Sequence, residues 1–284
     1  MTTVAVQMQS GVTDINTTMK KIFSLFAIAT TALFISCSDD DATPGVGTLT
    51  LEFDNVVSTA NLELNTSTNP YINSNGEEYR ITWLSYYVSN IKLKREDGTV
   101  YEDEIKSDGS AGYYLVKEDE TGSHEITLKD IPAGNYTEVT FTIGVDANQV
   151  DQGAQTGPLD PAKGLFWSWN SGYIFLAIEG VSPVSTETDN TFAYHVGGYK
   201  EDASNPNLVN NLKTLTLSFN GDFAPVRAEH EPQVHLLFDV DKFFNGSGAD
   251  ISFSSNASRH SPKACQDVAG NIPAAFSVDH VHAN

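Results

Sequence analysis

Val139-Thr140-Phe141-Thr142-Ile143-Gly144-Val145 alternates apolar residues with small or polar ones. Period two puts Val139, Phe141, Ile143 and Val145 on one side of an extended chain, and β-branched and aromatic residues favour that state. The stretch predicts a strand with one buried face. Outward from it the same pattern recurs at Leu49, Leu51 and Phe53, and at Tyr79, Ile81 and Trp83. It returns at Leu215, Leu217 and Phe219, then at Val234, Leu236, Phe238 and Val240. Tyr173 to Ile178 is continuously apolar, as expected of a strand covered on both faces. Turn signals stand between the runs: Asn75-Gly76, Asp97-Gly98, Asp108-Gly109, Pro132-Ala133-Gly134-Asn135 and Asn220-Gly221. Helix is expected only as a turn or two near Pro161 to Gly164. Many short strands joined by turns predict an all-β fold, a single antiparallel β-sandwich with long loops over residues 48–284. Polar stretches at 147–163, 181–191 and 198–211 become loops at the ends of the sandwich, where sites are built.

The chain before this domain reads as an export signal. Lys20 and Lys21 precede an apolar stretch from Ile22 to Ile35, too short for a comfortable membrane span, and Ser36 then precedes Cys37. Leu33-Phe34-Ile35-Ser36-Cys37 resembles a relaxed lipobox, so Cys37 is the expected lipid anchor. On this reading residues 1–36 are an upstream extension and signal peptide, with Met19 the natural start. Residues 37–47 form the anchor and an acidic linker. The run Ser38-Asp39-Asp40-Asp41 resembles the export tag of Bacteroidetes lipoproteins, which predicts an outer-membrane lipoprotein facing the periplasm or the cell surface. The lipid anchor is then the only contact with a membrane.

From Cys37 onward the chain has 14 basic and 36 acidic residues, a formal charge of −22. That balance opposes binding to nucleic acid or anionic lipid and attracts cations. With Cys37 acylated, Cys265 has no disulfide partner and is expected to be an inert buried thiol.

Catalytic templates are absent. There is no Gly-x-Ser-x-Gly elbow, no phosphate-binding Gly-Lys-Ser/Thr loop and no His-Glu-x-x-His helix, so no enzyme is expected. Asp239-Val240-Asp241 with Asn245-Gly246 lacks the spacing and closing Glu of a calcium loop and reads as a strand end. His280 and His282, two apart in Phe276-Ser277-Val278-Asp279-His280-Val281-His282, share one side of an extended chain, roughly 6.5 to 7 Å apart at Cβ. Two imidazoles at that spacing can share a metal, or can simply decorate a frayed terminus. Asp279 falls on the opposite face of a regular strand, so a loop acid is the expected partner of a metal-bound histidine. His195 opposes the face of Phe192, Tyr194 and Val196, and His235 opposes that of Val234, Leu236 and Phe238. Either is a ligand or a plain hydrogen-bonded histidine. His124, His230 and His260 lie in polar loop sequence with no special role expected. Trp167 and Trp169, in the densest aromatic segment, share a face if extended and form either core or a binding platform.

Together these segments resemble the MbnP-like copper-binding proteins, in the lipoprotein form found in Bacteroidetes. The resemblance is carried in order by Leu51-Glu52-Phe53-Asp54-Asn55, Tyr71-Ile72-Asn73 with Gly76, and Leu84-Ser85-Tyr86-Tyr87-Val88-Ser89-Asn90-Ile91. It continues through Ile131-Pro132-Ala133-Gly134-Asn135-Tyr136, Phe141-Thr142-Ile143-Gly144-Val145-Asp146 and Gly157-Pro158-Leu159-Asp160-Pro161. The most specific piece is Phe166-Trp167-Ser168-Trp169-Asn170-Ser171-Gly172-Tyr173, followed by Tyr194-His195-Val196-Gly197, Asn271-Ile272 and His280-Val281-His282. The resemblance implies a β-sandwich that binds copper and scavenges, buffers or hands it on. It implies a partner, a di-haem cytochrome-c-peroxidase-like enzyme that in some members oxidises a tryptophan to kynurenine. Carried onto this chain, it makes His195, His280 and His282 ligands, with His235 a further candidate. Trp167 and Trp169 become candidates for oxidation, and Trp83 after them. Many members carry histidine where this chain has Asn55. Two other readings compete: a surface glycan-binding or adhesion module that stacks sugars on Trp167 and Trp169, and a structural lipoprotein whose histidines and tryptophans only pack.

Overall fold

The computed structural model describes Met1 and residues 45–153, 155–168 and 170–283. Cys37 and Trp169 therefore lie outside the described residues. The first strands are β1 (Val46–Val57), β2 (Ala60–Asn61), β3 (Tyr71–Ile72), β4 (Glu78–Arg95), β5 (Val100–Glu102), β6 (Tyr113–Lys117), β7 (Glu125–Pro132) and β8 (Gly134–Ile143). The remaining ones are β9 (Phe166–Ser168), β10 (Gly172–Val181), β11 (Thr191–Gly197), β12 (Lys213–Ser218), β13 (Ala224–Val226), β14 (Gln233–Asp239), β15 (Ser258–Arg259) and β16 (Phe276–His282).

Two sheets face each other. The smaller runs β16-β14-β1-β2, with β7 also on β1, and the larger runs β12-β8-β4-β10-β11-β15, with shorter strands paired along it. Period-two side chains from both fill the space between them. Phe53 of β1 meets Tyr86 of β4 and Phe141 of β8 edge-on, at centroid distances of 6.1 and 5.7 Å. Phe276 of β16 meets Phe141 at 5.5 Å. Tyr173 to Ile178 is buried throughout, as its unbroken apolar sequence requires. The fold is all-β and sandwich-like. Most pairings are antiparallel, but β1 with β14 and β11 with β15 run parallel.

Three local readings are corrected. The alternation through Val240 ends one residue early, because the Asp239 carboxylate accepts the Asp241 N–H at 3.0 Å and caps a helical turn over Val240–Phe244. Further turns of helix form at Ala147–Val150, Phe253–Asn256 and Ile272–Ala275. At four or five residues each they are too short to show a 3.6-residue period. Most consequential, Trp83 does not share the buried face of Tyr79 and Ile81. The β4–β10 register shifts between Glu179 and Gly180, where Trp83 pairs with Glu179 but Ile81 with Gly180. One extra residue on β4 reverses the inward parity, so Leu84 and Tyr86 point to the core and Trp83 turns outward. Among the described residues no helix is long and apolar enough to cross a membrane.

Candidate metal centre

The structure separates the sequence-derived ligands into two groups. His235, His280 and His282 come together on the smaller sheet, each offering a ligand atom within 4.8 Å of the others. His195 stands on the larger sheet with different neighbours.

The first group depends on a register irregularity. Val234 pairs with Val281 and Leu236 with Val278, so the single residue His235 faces both Asp279 and His280. This is a β-bulge, which re-aims side chains at a strand edge. The His235 and His280 rings stack at 4.2 Å with 13° between their planes. The Nε2 atoms of His280 and His282 lie 3.0 Å apart, as expected for same-face residues two apart. The bulge also overturns the placement of Asp279. Rather than facing away, it accepts the His280 Nδ1–H at 2.7 Å.

The parallel neighbour β1 supplies more carboxylates. Glu52 pairs with His235, and Asp54 accepts the His235 Nδ1–H at 2.9 Å. Glu52 Oε2 accepts a hydrogen bond from Gln233 and lies 3.4 Å from His235 Nε2. A carboxylate only accepts, so Asp54 and Asp279 hold protons on the Nδ1 atoms and leave each Nε2 as an acceptor; that of His280 takes the His282 Nε2–H, a proton a metal ion would displace. His235 Nε2 is buried and has no hydrogen-bond partner. An orphaned buried nitrogen is costly, and a metal bond would satisfy it. Imidazoles whose second nitrogen is held by carboxylate form a common metal-binding arrangement, so the residues fit an imidazole-preferring ion.

Asn55 takes no part. It is buried, accepts the Tyr86 hydroxyl at 2.9 Å and donates to Glu118 at 2.8 Å. Its side chain is a satisfied bridge within the core.

On the larger sheet, His195 Nε2–H donates to Glu179 Oε1 at 2.7 Å, and His195 Nδ1 lies 3.0 Å from His260 Nδ1. The outward Trp83 meets the His195 ring edge-on at 5.9 Å. Trp167 is half-buried with its ring edge on Gly197, where an added Cβ would lie 2.7 Å from Trp167 Cζ3. Beneath His195, buried Cys265 donates from Sγ to the His195 carbonyl at 3.1 Å, and burial pushes its thiol up to about 12. Sequence reading missed Glu52, Asp54, Glu179 and His260. The two β1 acids flank Phe53 at outward positions of a legible strand, but nothing local announces that His235 will lie beside them. His260 carries no local signal at all.

A family model described as MbnP matches residues 46–267. Among solved structures, MbnP from Methylosinus trichosporium matches with a TM-score of 0.54 at 15% identity, over 82% of this chain and 98% of that one. No curated protein matches. His195, His235 and His260 fall inside the matched segment, and His280 and His282 lie beyond it.

Proposed function

We propose, from the premise that this chain belongs to the MbnP family, that it is an exported copper-binding lipoprotein with His235, His280 and His282 as ligands. The observation that carries this reading is the convergence of three imidazoles, two of them oriented by carboxylates, with the buried His235 Nε2 left without a hydrogen bond. Imidazole suits copper, and the acidic surface raises the local cation concentration without choosing among cations. The protein scavenges, buffers or hands on copper without turnover. Anchoring at Cys37 on the outer membrane, facing the periplasm or the cell surface, places it where environmental copper arrives.

The same proposal includes a di-haem cytochrome-c-peroxidase-like partner that oxidises a tryptophan to kynurenine. Trp83 and Trp167 both belong to the larger sheet, Trp83 beside His195 and Trp167 against Gly197, which supports a partner that docks against that sheet. The test is a competition titration of copper against a chelator of known affinity, with the full chain and its His235→Ala and His282→Ala variants. Tight binding weakened in both variants supports the assignment; equal affinity in all three proteins rejects it. Intact mass measurement of protein from its native host, with peptide mapping of Trp83, Trp167 and Trp169, tests the oxidation separately.

A further inference from the structure

His195 and His260 come from separate parts of the chain, a central strand residue and the residue just after β15, yet their Nδ1 atoms lie 3.0 Å apart. The rings are near-perpendicular at 82°, with centroids 4.5 Å apart, so this is an approach of nitrogens and not a stack. Glu179 accepts from His195 Nε2, which fixes the tautomer and leaves the Nδ1 lone pair facing His260. Two nitrogens at this spacing, each about 2.0–2.1 Å from one ion, would subtend roughly 95° there. That is a cis pair, as tetragonal nitrogen and oxygen sites present to copper(II) or nickel(II).

The surroundings favour a cation. His260 sits in the field of the Glu179 and Glu187 carboxylates. The nearby thiol is not a competing ligand, because Cys265 is buried and donates to the His195 carbonyl. Water or a carboxylate can fill the remaining positions, since His260 is exposed.

We propose that His195 and His260 form a second metal site, on the larger sheet and separate from the three-histidine cluster, for a divalent first-row ion of the copper(II) or nickel(II) class. Glu179 is its positioning residue. Trp83 gives the site a reporter, because a paramagnetic ion bound there would quench an indole that touches His195.

The experiment is equilibrium dialysis of the full chain against copper(II), followed by tryptophan fluorescence on the same samples. The wild type should bind two equivalents, with a quenched component that is missing in Trp83→Phe. His260→Ala and the volume-conserving His260→Gln should each bind one equivalent and lose that component. The double variant His235→Ala/His282→Ala should also bind one but keep the quench. Two equivalents and full quenching in both His260 variants would overturn the second site. One equivalent that survives the double variant and disappears on His260 substitution would instead overturn the three-histidine assignment while supporting this one. No binding by the wild type would overturn both.

Discussion

The two histidine clusters are made differently, although each brings a pair of imidazole nitrogens to 3.0 Å. On the smaller sheet every donor and both orienting carboxylates stand on adjacent strands, β1, β14 and β16, so ladder register sets their separation. On the larger sheet His195 is strand-borne, but His260 begins the loop after β15 and is placed by what the chain on either side of β15 packs against. One anchor is Glu77, whose carboxylate takes hydrogen bonds from the backbone and side chain of Ser254, the Phe253 N–H and Asn73. Another is Asn211, which donates to the Pro262 carbonyl at 2.8 Å. A register-built site is as rigid as its sheet. A loop-built site opens when its anchors are cut, which suits more labile binding.

This contrast can be broken at several points. The largest expected effect is on stability. Phe53 lies between the sheets and between Glu52 and Asp54 in sequence, so Phe53→Ala should cost about 3–5 kcal/mol in chemical denaturation. It should also weaken the three-histidine cluster more than the His195–His260 pair.

Glu77 tests the loop side. Burial by itself would raise its pKa, but hydrogen bonds from Asn73, Phe253 and Ser254 outweigh it and bring the group from 4.5 to about 2. A depressed carboxylate pKa stabilises the fold fully above the ordinary value, and the contribution is lost as pH falls toward the folded value. Glu77→Gln should therefore cost about 3 kcal/mol at neutral pH, a penalty that fades between pH 4.5 and about 2. Denaturation curves of both proteins across that window check the sign. Metal binding at His260 should weaken in this variant while the three-histidine cluster keeps its affinity.

Smaller effects come from the carboxylates behind the imidazoles. Asp54→Asn and Asp279→Asn should each lower copper affinity by about 10- to 100-fold, with the chain folded as before. Glu179→Gln should weaken only the second site, which comparative titrations would resolve.

Much of the fold was legible because alternation is a local signal. Phe53, Phe141, Tyr194 and Phe238 are all buried on the face the pattern assigns them. Trp83 was misplaced because a bulge leaves no mark in residue type: one extra residue on β4 reverses parity, and only the β10 pairing reveals it. The shared side of His280 and His282 followed from their spacing, whereas Asp279 was assigned to the wrong face because of the bulge in β16. The separation of His195 from the other three histidines, and its meeting with His260, are consequences of tertiary topology. So is the parallel β1–β14 pairing that brings Glu52 and Asp54 to His235, Asp54 across 181 residues of chain.

The central claim is that copper binds through the imidazoles of the smaller sheet. Its most direct test is the copper affinity of His280→Ala/His282→Ala relative to wild type, measured by chelator competition on folded full-length protein. Losing two of three ligands should weaken the tight site by more than the about 100-fold upper cost of losing an orienting partner. An unchanged affinity would mean that copper is held elsewhere.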